Sequence, residues 1–128
     1  MENLYIPPTD HSPEIKFDYS VHALHINGES YPENAMAFYA PVRASLEHYL
    51  TAAKSEHPLQ VNVALRYFNS SSTKLIRSLM GMLDGSAKAG RKVVTYWHHD
   101  PEDDMMMEFG ADLQDEFKMM EVHLVPLN

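Results

Sequence analysis

The chain has no cysteine, which removes a disulfide framework and a thiol nucleophile together. A cysteine-free sequence suits a reducing cytosol. Basic residues are also scarce: 10 Lys and Arg stand against 18 Asp and Glu, a formal net charge of −8. Nucleic-acid binding needs clustered cations that displace counterions from phosphates. The few cations here are scattered, so nucleic acid is not an expected partner, nor is an anionic membrane surface. Long apolar runs are missing as well, and no stretch approaches the length that spans a bilayer. The start, Met1-Glu2-Asn3-Leu4-Tyr5-Ile6-Pro7-Pro8, lacks a basic region followed by an apolar run and does not read as a secretory signal. A cytoplasmic location is expected.

What is present is the composition of a folded domain, with 45% hydrophobic and 22% charged residues in 128. That length supports one core, so residues 1–128 are read as a single domain. Residues 1–12, ending in Thr9-Asp10-His11-Ser12, are rich in chain breakers and read as irregular. Glu14–Tyr19 and Ala23–Gly28 alternate apolar and polar residues and form an expected hairpin. Ser30-Tyr31-Pro32-Glu33 has the pattern of a capping box with proline in the first turn. It opens a helix carrying Met36, Tyr39, Val42, Leu46, Tyr49 and Leu50 on one side, closing near Ser55 because Pro58 forbids continuation. Leu59–Phe68 is a third strand. Leu75, Ile76, Leu79, Met80 and Leu83 mark a second helix that stops around Ala89-Gly90. Lys92–His98 is a fourth strand, Asp100–Asp104 an acidic helix start continued by Met106, Phe109, Leu113 and Phe117, and Glu121–Val125 a last strand. The order β-β-α-β-α-β-α-β predicts an α/β domain: a small, largely parallel mixed sheet flanked by helices.

The most informative stretch is Asn69-Ser70-Ser71-Ser72-Thr73-Lys74, which lies where a strand turns into a helix. Hydroxyl oxygens suit that place because the first N–H groups of a helix lack partners. The plain reading is a helix cap. The sharper one is a phosphorylation switch, since a phosphate there would meet the positive end of the helix dipole.

Other chemistry is poorly supported. Eight histidines are present, but neighbours such as His98 and His99 point to opposite faces of an extended chain and cannot easily share an ion. His22 and His25 match no zinc spacing. No metal or other cofactor is expected, although a small metal-dependent hydrolase using His98, His99 and Asp100 stands as an alternative. The hydroxyl run lacks the glycines of a nucleophile elbow or of a phosphate-binding loop. Glu102, Asp103 and Asp104 read as a solvated helix start. Met105-Met106-Met107, among nine methionines, cannot all face inward and suggest apolar area left for a partner.

Three segments together carry a resemblance: Ser30–Asn34, Arg66–Lys74, and Gly90–Asp100, which ends Tyr96-Trp97-His98-His99-Asp100. In this order and spacing the chain resembles the SiaC family of bacterial regulatory phosphoproteins, from about Leu4 to Phe117. The resemblance implies a STAS-like fold, similar to anti-sigma factor antagonists, and a protein that is not an enzyme. It implies a dedicated serine/threonine kinase and a metal-dependent serine/threonine phosphatase as partners. It also implies that the unphosphorylated form binds and activates a diguanylate cyclase, promoting cyclic-di-GMP signalling, aggregation and biofilm formation. The family's modified residue is a threonine directly after an asparagine. Ser70 holds that place here, with Ser71, Ser72 and Thr73 as competing acceptors. Tyr31, Pro32, Glu33, Asn34, Asn69, Ser70, Ser71 and Lys74 are the expected switch surface. An anti-sigma factor antagonist acting on transcription by partner switching is the alternative with the same fold.

Overall fold

A computed structural model describes residues 3–52 and 56–127. The described elements are β1 (Leu4–Ile6), β2 (Glu14–Asp18), β3 (Ala23–Ser30), α1 (Ala35–Ala52), β4 (Leu59–Phe68), α2 (Ser70–Lys88), β5 (Val93–His99), α3 (Asp104–Glu116) and β6 (Glu121–Pro126). They build one six-stranded sheet in the order β1-β2-β3-β4-β5-β6. The first three strands are antiparallel, and β3 through β6 run parallel. The expected mixed α/β architecture is therefore present.

Three expectations need correction. Leu4–Ile6 is a strand, not irregular chain: it pairs with Ile15–Phe17 along an edge of β2 that would otherwise be open. Three residues are too few to show a period in the sequence. The capping box is also absent. Ser30 is the last residue of β3, paired with Phe68, and its backbone oxygen accepts from the Asn69 N–H. With its backbone extended, Ser30 cannot cap a helix that begins at Ala35. Asn34 does so instead, its Oδ1 accepting from the Ala37 N–H at 3.1 Å. The acidic start of α3 is likewise shorter than expected. Asp100–Glu102 form a turn and Asp103 caps the helix through a 3.0 Å bond from the Met106 N–H. The expected close of the first helix near Ser55 lies outside the described residues.

Sequential parallel strands joined by right-handed crossovers place every connecting helix on the same side of the sheet. The register shows it: Leu24, Val61, Thr95 and Val122 form one cross-sheet row, and Ile26, Val63, Trp97 and Leu124 the next. These inward residues meet Tyr39, Val42, Leu46 and Tyr49 of α1, Ile76, Met80 and Leu83 of α2, and Met106 and Leu113 of α3 in one core cluster. Burying each such apolar side chain contributes about 1.5–3 kcal/mol. Trp97, fully buried, donates its indole N–H to the Met106 carbonyl at 2.9 Å and stacks on Phe109. α3 lies so close to it that a Cβ on Gly110 would stand 2.6 Å from the indole Cδ1. Gly90, with φ of +118°, turns the chain after α2 as its place in the sequence suggests.

Candidate functional site

The candidate site lies at the carboxyl ends of β3 and β4, where open α/β sheets commonly place their sites. β4 passes into α2 through Asn69, whose extended backbone (φ −86°, ψ 174°) makes it the cap. Its Oδ1 accepts from the Ser72 N–H at 2.9 Å, and its carbonyl oxygen accepts from the Thr73 N–H at 3.0 Å. The Ser70 and Ser71 N–H groups belong to the first turn, where no preceding helical carbonyl reaches them.

The four hydroxyls of this turn have different surroundings. Ser72 is fully buried, and its Oγ accepts from the Ser30 Oγ at 2.8 Å. The Ser30 hydroxyl also lies 2.7 Å from the Tyr39 hydroxyl. Burial pushes the Tyr39 phenol up to about 12, so it stays protonated and available as a donor. The Thr73 hydroxyl donates to the Asn69 carbonyl oxygen at 3.0 Å and is partly buried. Ser70 and Ser71 are exposed. A kinase needs a hydroxyl that leaves the surface and reaches an active site, which Ser70 and Ser71 offer and Ser72 does not.

Of the expected switch surface, Tyr31, Asn69, Ser70 and Ser71 are joined through the end of β3. Tyr31 follows Ser30, the residue that receives the Asn69 N–H. Its ring meets the Tyr67 ring edge-on at 5.6 Å and the His11 ring at 5.5 Å. Pro32 and Glu33, with Tyr31, His11, Ser12 and Thr9, line a shallow cavity of about 330 Å³. Asn34 caps α1, and Lys74 is exposed on α2. Tyr67 is absent from the expected set, yet 51% of its surface is exposed. Strict alternation along β4 would have buried it. The β3–β4 register shifts between Gly28 and Glu29, so Glu29 faces Tyr67 and both Arg66 and Tyr67 turn outward. A β-bulge leaves no periodic mark on the strand opposite it.

His98 and His99 sit on opposite faces of β5, as alternation requires. His98 is half-buried on the helix-free face, 3.3 Å from the Asn62 Oδ1, while His99 is buried and its Nδ1 lies 3.0 Å from the Asp100 carbonyl. Among the described residues no three His, Asp or Glu side chains are grouped to hold a metal ion. No helix among them is long and apolar enough to cross a membrane.

Residues 6–127 match the family model described as SiaC family regulatory phosphoprotein. The chain belongs to the SiaC family. An uncharacterised protein of Pseudomonas aeruginosa (strain UCBPP-PA14) is 30% identical over 116 residues, covering 91% of this chain and 90% of that protein. The crystal structure of apo-SiaC from Pseudomonas aeruginosa superposes with a TM-score of 0.90 at 28% identity, covering 98% of this chain and 99% of that one. SiaC in the crystal structure with diguanylate cyclase SiaD, whose activator it is, gives a TM-score of 0.90 at 27% identity, over 97% and 99% of the two chains. The SiaC fold therefore extends over nearly the whole chain, with the hydroxyl turn at its β4–α2 corner.

Proposed function

We propose that this protein is a cytoplasmic, non-enzymatic switch whose phosphorylation on Ser70 controls its binding to, and activation of, a diguanylate cyclase. The observation that carries the reading is the contrast within one helical turn: Ser70 is exposed beside the Tyr31–Tyr67 pair, whereas Ser72 is locked under it by Ser30. Family membership and the likeness to SiaC, the activator of SiaD, support the cyclase as target over a sigma-regulating kinase. Ser70 is preferred to Ser71 because it follows the cap asparagine directly.

The switch works through charge and desolvation. Phosphate adds about −1.5 to −2 charge, and the unbonded N–H groups of the first turn hold it at the helix end. Lys74, one turn along α2, is close enough in sequence to share that charge. The neighbouring exposed aromatic surface binds a partner by excluding water, and a fixed dianion in that surface keeps its water. A loss of about 3 kcal/mol lowers affinity more than a hundredfold. A dedicated serine/threonine kinase and a metal-dependent phosphatase set and remove the mark.

Phosphosite mapping on protein from its own host, with and without phosphatase treatment, tests this together with titration of the host's cyclase. Phosphate on Ser70, removed by the phosphatase and abolishing cyclase binding, is the expected result. An unmodified Ser70 under every growth condition would reduce the turn to a helix cap.

A further inference from the structure

Helices cover one face of this sheet only. The other face carries cross-sheet rows of its own: Lys16, His25, Asn62, Tyr96 and His123 in one, and Glu14, Asn27, Ala64, His98 and Val125 in the next. Parallel strands are normally layered on both sides, and here the second layer is missing. At the carboxyl ends of the strands this face deepens into a groove of about 710 Å³ between β4, the β5–α3 turn and Leu127. It continues over Ala64 and Asn27 into a second lobe of about 380 Å³ above Asn62 and His98.

The groove is chemically uneven. Its rim holds Asp100, Glu102, Asp103 and Asp104 against a single cation, Arg66. Beside the rim Met105 is 83% exposed and Leu127 43% exposed. In the second lobe the Asn62 Nδ2 is buried without a hydrogen-bond partner among the described residues. An unpaired buried donor is costly, and an acceptor brought from outside would remove that cost.

We propose that this groove docks an amphipathic helix of the partner protein, its cationic side chains on the acidic rim and its apolar side on Met105 and Leu127. The rim's charge selects a cationic occupant. The sheet face selects a helix: an extended peptide adds to a strand edge, and the groove runs over the face, away from both edges. The groove is separate from the Ser70 surface, which lies on the helix-covered side of the same sheet end. One partner reaching both would be read twice, through its charge by the rim and through phosphorylation by Ser70. The identity of the occupant as a cyclase segment rests on the function proposed above.

Glu102→Lys with Asp104→Lys reverses the rim and spares Asp103, the residue that caps α3. Titration of the host's diguanylate cyclase against this variant, wild type and Ser70→Asp separates the two ideas. The rim variant should lose at least 30-fold in affinity at moderate salt, with an unchanged melting curve. Its affinity should also depend less on salt than that of wild type. Affinity within threefold of wild type, while Ser70→Asp still abolishes binding, overturns the groove and leaves the switch standing. No binding by folded, unphosphorylated wild type overturns both. Because the chain has no other cysteine, Met105→Cys carries a photo-cross-linker at one place only. It should capture a cyclase peptide with Lys or Arg at helical spacing; capture of a peptide without cations, or none under saturating cyclase, overturns the proposal.

Discussion

α2 and α3 begin at the same end of the sheet, each after a parallel strand and each behind an Asx cap, yet they handle charge in opposite ways. α3 has a carboxylate at its cap, Asp103, and another in its first turn, Asp104. α2 has the neutral Asn69 as cap and no acidic residue in its first turn. Both helix starts attract negative charge for the same electrostatic reason. In α3 the charge is built into the sequence and is permanent. In α2 the place is filled with hydroxyls, and a charge put there by a kinase can be taken away again. A helix start left neutral beside exposed aromatics is therefore the part of this fold suited to regulation, and a start with its anion in place is scaffold.

The largest expected effect comes from giving α2 the permanent charge that α3 has. Ser70→Asp should lower affinity for the unphosphorylated form's cyclase more than a hundredfold by calorimetric titration, with the fold intact. Full binding by this variant would erase the functional difference between the two helix starts. Ser71→Asp is the sharper control, and a smaller loss there would tie the effect to the residue next to the cap.

Next in size are the caps themselves. Asn69→Ala and Asp103→Ala each remove one side-chain bond to a helix N–H and should each cost about 1 kcal/mol. Denaturant unfolding should show similar losses, since both caps perform the same task. Asn69→Asp should keep stability and, by placing a carboxylate beside Ser70, weaken cyclase binding. Asp103→Asn should keep both. A larger loss from Asn69→Ala is also informative, because the Ser30–Ser72–Tyr39 hydroxyl chain lies directly beneath that turn.

How far these features were legible in the sequence depended on whether a local period carried them. The strands from Glu14 onward, the three helices and the α/β order were readable because alternation and 3.6-residue spacing are properties of neighbouring residues. The hydroxyl turn was readable for the same reason, since a strand pattern and a helix pattern meet there. Ser30 misled because a Ser-x-x-Glu spacing says nothing of whether the strand has ended, and β3 runs on to pair with Phe68. Tyr67 was missed because its exposure depends on a register shift in another strand. The separation of Ser70 from Ser72 was beyond the sequence too, because it rests on a bond to Ser30, 42 residues away.

pH should separate the carboxyl end of the sheet from its amino end. There His22 stacks on His57 at 4.5 Å, its Nδ1 is 2.5 Å from the Tyr49 hydroxyl, and Arg91 lies over the Tyr49 ring. Burial first, then the nearby His57 and Arg91, push the His22 imidazole below its ordinary 6.5. The folded state therefore binds fewer protons there than the unfolded chain. The stability tied to this histidine is complete above pH 6.5, and falls as the pH drops from 6.5 through the depressed folded value. His22→Asn suits the backbone, whose φ of 56° asparagine tolerates. The variant should start less stable, by loss of the stacked ring, and should lose less between pH 7 and about pH 5.5 than wild type. Equal losses in thermal melts would place the acid sensitivity elsewhere.

The smallest effect is the most direct test of the helix comparison. Ser70→Asp should raise stability by about 0.3–1 kcal/mol, because the new carboxylate meets the helix dipole and the unbonded N–H groups of the first turn. Asp104→Ser should lower it by a similar amount at the other helix. High salt should shrink both changes, since each involves an exposed charge. The sign for Ser70→Asp matters most. A variant that is more stable yet unable to bind shows that α2 gives up helix stability, in its unmodified form, to keep a neutral surface for its partner. A variant that loses both would instead point to distortion of the turn, and the charge argument for α2 would fail while that for α3 stood.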